Sequence, residues 1–452
     1  MKIKHFSKNK SREYRNETIL IMLILTKARI IIFALTTSAS IYMNTQTSFP
    51  KEKIKILMLE GVHPGALQLF KDHGYSDIEV VKGAMSEEDL CEKIKDVHLL
   101  GIRSKTQLTK KIIESGNRLI AVGAYCIGTN QIDMNSSIEN GVAVFNSPFS
   151  NTRSVAELVI AHCINLMRRV FEKSDAAHHG KWLKDSADSY EVRGKTLGIV
   201  GYGHIGSQVS VLAENMGMKV IFYDIDAKLS LGNASSVRSL DELLHNSDIV
   251  TLHVPELPTT KNLINESNLK KMKAGSMLIN YSRGTVIDLD AAKRAIESNH
   301  LRGLAVDVFP YEPKNNSEKF ESPIQGLPNV ILTPHIGGST QEAQENIGLD
   351  VANKLISFLE TGSSNGSLSV PALSLPVLSE THRLLHIHKN VPGVLSEING
   401  LLSKMNVNIL GQYLKTNNQI GYVVLDIDKS TSPGVLEELK KVKSTIRVRS
   451  LY

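Results

Sequence analysis

Cysteine is scarce in this 452-residue chain, and the three that occur, Cys91, Cys126 and Cys163, are far apart and form no CxxC pair. Their number and spacing exclude a disulfide framework and a cysteine-ligated zinc site. No other motif indicates a metal. Unpaired, widely spaced thiols are typical of a reducing compartment, so we expect a cytoplasmic protein.

The folded part of the chain also lacks an excess of positive charge. The net charge of +6 lies entirely in residues 1–50, which hold eight Lys/Arg and two Asp/Glu. Residues 51–452 therefore keep 52 minus 8, or 44, basic residues and 46 minus 2, or 44, acidic ones. A nucleic-acid surface needs a basic stripe on the folded body. We therefore expect no nucleic-acid partner.

A long uninterrupted hydrophobic run is missing as well. The apolar stretch over residues 19–35 contains Lys27 and Arg29, and each charge would cost about 2.5–3.5 kcal/mol at the centre of a membrane helix. The same interruption weakens a signal-peptide reading. We expect no membrane partner, translation from Met43, and residues 1–50 to be an extension that is untranslated or disordered.

Two units of alternating strand and helix follow. Short apolar runs such as Ile54–Leu59 alternate with helical spacing, and the pattern starts again near Lys195. This alternation predicts two doubly wound, Rossmann-like α/β domains with parallel sheets. We place a substrate-binding domain at 51–150, completed by about 338–375, and a dinucleotide-binding domain at 151–337.

The C-terminal part has a different order of elements. Residues 361–376 are rich in Gly, Ser and Pro, which predicts a linker. Residues 380–452 then alternate as strand, helix, strand, strand, helix and strand. That βαββαβ order predicts a small ferredoxin-like domain.

A glycine-rich turn marks a dinucleotide site. In Gly201-Tyr202-Gly203-His204-Ile205-Gly206, the first glycine permits a tight turn, the second admits a pyrophosphate and the third lets helix and strand pack closely. The helix beginning at His204 and Ile205 would face the phosphates. Asp224, at the end of the next strand, would bind the ribose hydroxyls and repel a 2′-phosphate, so the pattern favours NAD. The alternative is a glycine-rich turn that binds nothing.

Three polar residues follow successive strands of the same unit, namely Arg283, Glu312 and His335. The carboxyl ends of parallel strands face the ligand crevice, so the three would meet there. Histidine suits the proton transfer of a 2-hydroxy-acid oxidation, a carboxylate would raise its pKa, and a guanidinium would hold the substrate carboxylate. Each residue alone is more simply a surface or loop residue.

Several stretches of the chain, two of which contain Arg283 and His335, resemble the D-isomer-specific 2-hydroxyacid dehydrogenase family, in the phosphoglycerate-oxidising, short bacterial form with a C-terminal ACT domain. The resemblance covers nearly all of the chain from Ile54 onwards. The matching stretches are Glu60–His63, Cys126–Gln131, Phe149–Glu157, Gly201–Gly206, Ser282–Val286 and Pro334–Asn346.

The resemblance implies reversible, NAD-dependent oxidation of D-3-phosphoglycerate, the first step of L-serine biosynthesis. It implies the same roles for Arg283, Glu312 and His335, and it places Asp307 near the nicotinamide amide. It also places substrate contacts on Arg103, Ser104 and Asn151.

Two positions depart from the family pattern. Lys105 stands where close relatives carry a second arginine, which keeps the charge but loses the fork geometry. Tyr281 replaces a small residue and could crowd the rim of the cofactor site.

The ACT domain implies regulation. His388, Asn390 and Asn408 match the family's serine ligands, and L-serine bound where two such domains pair would bridge subunits and inhibit the enzyme. The alternative is that these polar residues only cap strand ends and turns. Trp182 is implied to insert into a neighbouring subunit, its alternative being an ordinary core aromatic. A homotetramer through Rossmann and ACT contacts is expected.

Two other functions remain open. The chain could act on another D-2-hydroxy acid, and a second carboxylate in the phosphate pocket would allow a side activity on 2-oxoglutarate. A nucleotide-sensing binding protein, similar to the co-repressors that share this fold, is the rival from another class. Arg103 and the ACT domain favour the phosphorylated substrate, and the complete Arg/Glu/His set favours an enzyme.

Overall fold

The structure is a computed structural model that describes residues 49–313, 317–377, 381–428 and 434–451. The predicted start at Met43 lies outside these residues. The strands form three sheets of five, seven and four strands. Within the described ranges, no helix has both the length and the apolar character that a membrane crossing requires.

The first sheet is parallel, with the strand order β2-β1-β3-β4-β5. Its inner strands are buried on both faces, which explains why they read as continuous apolar runs in the sequence. Its strands are β1 (Ile56–Met58), β2 (Ile78–Val80), β3 (Leu99–Ile102), β4 (Ala121–Ala124) and β5 (Ala143–Asn146), and the helices between and around them are α1 (Pro64–Asp72), α2 (Glu87–Lys93), α3 (Lys110–Ser115) and α4 (Met134–Glu139).

The second sheet is also parallel. Its strands are β6 (Thr196–Val200), β7 (Lys219–Tyr223), β8 (Ser235–Ser236), β9 (Ile249–Leu252), β10 (Ser276–Asn280), β11 (Leu301–Val306) and β12 (Val330–Leu332). Their order is β12-β11-β10-β9-β6-β7-β8, so the direction of winding reverses between β6 and β9, where such sheets bind ligands. The accompanying helices are α5 (Thr152–Arg168), α6 (Val170–His178), α7 (His204–Asn215), α8 (Leu240–Asn246), α9 (Glu266–Lys271) and α10 (Leu289–Glu297).

The third sheet is antiparallel, in the order β14-β15-β13-β16. After the long helix α11 (Gln341–Thr361), the elements are β13 (Thr381–Lys389), α12 (Val394–Lys404), β14 (Ile409–Thr416), β15 (Ile420–Asp428), α13 (Val435–Lys440) and β16 (Thr445–Leu451). Apolar residues of α12 and α13 share one core with this sheet. The predicted fold, two parallel α/β sheets followed by a βαββαβ unit, is confirmed.

The segment 361–376, which we predicted to be a linker, packs against the first sheet. The Ser369 hydroxyl donates to the Val142 carbonyl and accepts from the Val144 backbone N–H, at 2.7 and 2.9 Å. The backbone N–H of Leu368 also donates to the Val144 carbonyl. The Ser369 hydroxyl therefore binds the backbone at the start of strand β5.

The third unit is fixed to the first through the end of α11. The carbonyls at a helix C-terminus have no partner within the helix. Arg449 donates to the Phe358 carbonyl at 2.6 Å and stacks over the Phe358 ring, 4.9 Å from its centroid. The Tyr422 hydroxyl donates to the Gly362 carbonyl at 2.6 Å. Side chains of the four-stranded sheet therefore satisfy the end of the helix.

A buried ion pair completes this junction. The Arg383 guanidinium binds both carboxylate oxygens of Asp426, at 2.7 and 2.9 Å, and the two side chains are 5% and 0% exposed. Its remaining nitrogen donates to the carbonyls of Thr361 and Pro376. Removing one partner of such a pair leaves the other charged and buried.

We therefore predict that Arg383→Met lowers the free energy of unfolding by about 3–5 kcal/mol. Urea and thermal unfolding would measure the loss, and Arg383→Met combined with Asp426→Leu should recover most of it. Lys440→Met, which breaks the exposed pair with Glu437, is the matched control and should change stability by about 0.5 kcal/mol or less. A single Arg383→Met variant as stable as the control would contradict the prediction.

Candidate active site

The glycine-rich turn between β6 and α7 has the geometry of a phosphate cradle. Gly201 has φ +91°, and a Cβ there would lie 2.5 Å from the His253 carbonyl oxygen. A Cβ on Gly206 would lie 2.2 Å from the Gly201 carbonyl oxygen, so neither position admits a side chain. In contrast, a Cβ on Gly203 would meet nothing within 4 Å. The space before the α7 N-terminus is therefore open, as a pyrophosphate requires.

The neighbouring side chains also fit a dinucleotide. Asp224 accepts the Tyr202 backbone N–H at 2.8 Å and the Asp226 N–H at 2.9 Å. Each carboxylate oxygen keeps a lone pair for a ribose hydroxyl. His204 and Ile205 form the first turn of α7. The Phe149 ring contacts the His204 ring in a tilted arrangement with 3.8 Å between centroids, a contact that the sequence did not reveal.

The structure brings Glu312 and His335 together. Glu312 Oε2 lies 2.8 Å from His335 Nδ1, while Oε1 accepts the Phe309 backbone N–H at 3.1 Å. Arg283 follows β10, Glu312 follows β11 and His335 follows β12, and these three strands are neighbours in the sheet. The carboxyl ends of adjacent strands therefore position all three residues.

The pair has linked pKa values. The hydrogen bond to Glu312 is the main reason why the pKa of His335 is raised, against the opposing effects of burial and of Arg283. Burial would raise the pKa of Glu312, but the hydrogen bond and the charge of His335 together hold it below its ordinary value. If Nδ1 donates to the carboxylate, Nε2 is left to exchange a proton with a substrate.

Asp307 anchors the loop that carries His335. This buried carboxylate accepts the Thr333 hydroxyl at 2.6 Å and the backbone N–H groups of Ile336 and Gly337, both at 2.8 Å. Burial raises the pKa of Asp307, and these donors counteract the rise. His335 itself has φ +54°, a strained conformation for a side chain other than glycine. The contact of Asp307 with the nicotinamide amide stays a prediction. The sequence did not indicate that Asp307 also binds the backbone of the loop that carries His335.

Tyr281 lies behind this loop, in the core of the second unit. Its hydroxyl hydrogen-bonds with His162 and lies 3.3 Å from the Thr333 hydroxyl. A Cβ on Gly337 would approach the Tyr281 ring to 3.1 Å. Burial lowers the pKa of His162 to about 4, so this partner is neutral at pH 7. The tyrosine supports the catalytic loop from inside the domain, and its polar end is satisfied there.

The predicted substrate residues lie on two loops. Arg103, half-buried, and Ser104, exposed, follow β3. Asn151 precedes α5, and its carboxamide fits against Gly338, where a Cβ would lie 2.0 Å from Nδ2. Asn151 Oδ1 is buried without a hydrogen-bond partner among the described residues. A buried acceptor of this kind is suited to a ligand hydroxyl.

The predicted serine residues are not all brought together within one chain. His388 and Asn390 share the end of β13, and His388 Nε2 is buried without a partner among the described residues. Asn408 immediately precedes Ile409. Ile409 pairs with Ile427 on β15, and Ile427 pairs in turn with His382 on β13, so these residues form one row across the sheet. That row is six residues from His388, roughly 20 Å along the strand.

Comparisons with known proteins agree with this geometry. Residues 160–337 match the model of the D-isomer specific 2-hydroxyacid dehydrogenase, NAD binding domain. Residues 384–447 match that of the AHAS small subunit-like ACT domain. The second unit is thus an NAD-binding domain and the third an ACT domain.

Relatives with known names match along nearly their whole length. The D-3-phosphoglycerate dehydrogenase of Haemophilus influenzae is 52% identical over 410 residues, which cover 91% of this chain and 100% of the relative. The enzyme of the same name from Escherichia coli K12 is 52% identical over 409 residues, covering 90% and 100%.

Solved structures match about two thirds of the chain. D-2-hydroxyisocaproate dehydrogenase has a TM-score of 0.64 at 26% identity and covers 70% of this chain and 100% of its own. D-lactate dehydrogenase from Aquifex aeolicus, complexed with NAD and lactic acid, has a TM-score of 0.58 at 30% identity and covers 68% and 96%. The chain belongs to the D-3-phosphoglycerate dehydrogenase family, within the D-isomer-specific 2-hydroxyacid dehydrogenases.

Proposed function

We propose that this protein oxidises D-3-phosphoglycerate to 3-phosphohydroxypyruvate with NAD, reversibly, as the first step of L-serine biosynthesis. The observation that carries the proposal is the Glu312–His335 pair, held 2.8 Å apart at the strand ends that also present Arg283. The 52% identity to enzymes named for this substrate supports the choice of substrate.

In the oxidation, His335 Nε2 accepts the proton of the substrate hydroxyl, and Glu312 stabilises the resulting imidazolium. Arg283 binds the substrate carboxylate and polarises the developing carbonyl. The Gly201–Gly206 turn and Asp224 would hold NAD, which would supply the acceptor for the hydride that leaves carbon 2 of the substrate. In the reduction, the same imidazolium returns its proton to the carbonyl oxygen.

Arg103 and Ser104 bind the phosphate end of the substrate, with Lys105 adding a second positive charge, and Asn151 binds a polar group nearer the reacting carbon. A carboxylate can replace the phosphate beside two cations, so we include a side activity that reduces 2-oxoglutarate to 2-hydroxyglutarate. The complete acid–base pair argues against a protein that only senses the nucleotide.

Regulation by L-serine requires two copies of the chain. His388 and Asn390 lie roughly 20 Å from Asn408 along the sheet, too far for one serine molecule to touch them all within one domain. Two paired ACT domains would bring the opposite ends together. Trp182 is 84% exposed. A tryptophan that inserts into a neighbouring subunit is expected to be exposed when its own chain is considered alone. The proposal therefore includes a homotetramer that is held together by contacts between Rossmann domains and by contacts between ACT domains.

The proposal also assigns the parts of the chain. Residues 51–150, completed by about 338–375, form the substrate-binding domain, 151–337 the NAD domain, and 380–452 the regulatory domain. The packing of α11 against β4 and α1 supports the completion of the first domain by a later segment. The scarcity of cysteine supports a cytoplasmic location.

Turnover and its pH dependence test the acid–base pair. His335→Ala should lower kcat by about 10²–10⁴-fold, the usual contribution of a general acid or base. Because Glu312 raises the pKa of His335, Glu312→Gln should lower that pKa. The reduction needs protonated His335, so its rate falls as the pH rises through the pKa of His335. In the variant this fall should occur at a lower pH than in the wild type. Rates followed by NADH absorbance give the profiles, and an unmoved limb would contradict the assignment.

Cofactor choice tests Asp224. We expect Asp224→Ser to raise the KM for NADH by about tenfold and to improve the use of NADPH, because the carboxylate no longer binds the ribose or repels the 2′-phosphate. Asp226→Ser, two residues later, is the matched control. An unchanged ratio of kcat/KM for the two cofactors would exclude this role.

Subunit mixing tests the shared serine site. His388→Ala and Asn408→Ala should each abolish serine inhibition. A mixed dimer contains one His388→Ala chain and one Asn408→Ala chain. If each serine site takes His388 from one chain and Asn408 from the other, one of the two sites carries both substitutions and the other carries neither. Serine inhibition should then partly return. Co-expression with two affinity tags and NADH assays would measure it. A site within one chain predicts no recovery in the mixed dimer.

A further inference from the structure

Glu60 lies at the carboxyl end of β1, level with Arg103 at the end of β3. The two strands are adjacent and parallel, with Met58 opposite Gly101. Glu60 is only 8% exposed and has φ +61°, a left-handed conformation that is strained for glutamate. Burying a carboxylate and straining its backbone both cost free energy, and packing alone does not offset that cost.

The carboxylate of Glu60 accepts three backbone N–H groups of the loop that follows β3. Oε1 accepts from Arg103 at 3.2 Å and from Thr106 at 2.7 Å, and Oε2 accepts from Lys105 at 2.9 Å. The Arg103 guanidinium also lies 3.5 Å from the Glu60 carbonyl. The loop is therefore wrapped around one buried anion.

Gln131 holds the same loop from its other side. Its Nε2 donates to the Arg103 carbonyl at 2.7 Å, and the side chain is largely buried. The backbone of Arg103 is thus fixed at both its N–H and its carbonyl by buried side chains. The side chains of Ser104 and Lys105 remain exposed.

We infer that Glu60 is a positioning residue that determines specificity for the phosphorylated substrate, an inference that rests on the proposed function. Successive backbone N–H groups in a loop can form an anion-binding nest. Here Glu60 occupies the N–H groups of Arg103, Lys105 and Thr106, so these three amides are not available to the phosphate. The substrate's charged end is left to the side chains of Arg103, Ser104 and Lys105, whose backbone Glu60 holds in place.

This arrangement separates two tasks. The internal carboxylate defines the shape of the loop, and the cationic side chains supply the attraction. Disturbing Glu60 should therefore weaken binding of the phosphate end and affect the chemistry at Arg283 and His335 much less. A purely structural residue would instead lower activity equally for substrates with and without a phosphate.

The test compares 3-phosphohydroxypyruvate with hydroxypyruvate, which lacks the phosphate, using Glu60→Gln. A carboxamide keeps the size of the side chain but turns an NH₂ group towards one of the three donors. We expect the KM for the phosphorylated substrate to rise about tenfold while its kcat changes little. The loss of kcat/KM for hydroxypyruvate should be about twofold or less.

Gln131→Met is the second variant if Glu60→Gln does not fold. It should lower the ratio of kcat/KM for 3-phosphohydroxypyruvate to kcat/KM for hydroxypyruvate, as Glu60→Gln should. Asp248→Asn is the matched control, since the Asp248 carboxylate also accepts a backbone N–H, that of Thr196, but at the amino end of β6, on the opposite edge of the sheet from Arg283 and His335. Equal losses for both substrates, or a lower KM for the phosphorylated one, would overturn the role of Glu60. A wild-type enzyme that does not prefer the phosphorylated substrate would instead refute the proposed function.

Discussion

The hydrogen bonds accepted by Asp307 are the interaction on which the catalytic arrangement depends. His335 has a left-handed backbone conformation, which costs of the order of 1 kcal/mol and needs compensation from its surroundings. The donors at Thr333, Ile336 and Gly337 supply it, and the charge-assisted bonds are stronger than neutral ones. Glu312 then has only to orient a ring whose backbone is already fixed.

The loops after β3 and β12 follow the same physical rule. Each folds around a buried carboxylate, Asp307 in the NAD domain and Glu60 in the first domain, that accepts two or three backbone N–H groups. A loop has few apolar contacts, so an internal anion is an effective way to give it one shape. The residues that meet the ligand can then be charged and exposed without having to hold their own backbone.

Much of the site could be predicted because it depends on local rules. The turn at Gly201 follows from steric demands, and Arg283, Glu312 and His335 follow from their places after parallel strands. The loop contacts of Asp307 and Glu60 were missed because they depend on which N–H groups converge after folding, which no periodicity encodes. The order of residues 361–376 was missed because composition does not show where a serine hydroxyl finds a backbone partner.

Helix α11 connects the ACT domain to the loop that carries His335. The helix begins six residues after His335 and ends among carbonyls bound by Arg449 and Tyr422 of the ACT domain. Its 21 residues span about 32 Å at the rise of an α-helix. An effector shifts an equilibrium only by binding two states differently. Because one helix connects the junction with the ACT domain to the loop of His335, it is the element through which a change at that junction would reach the loop.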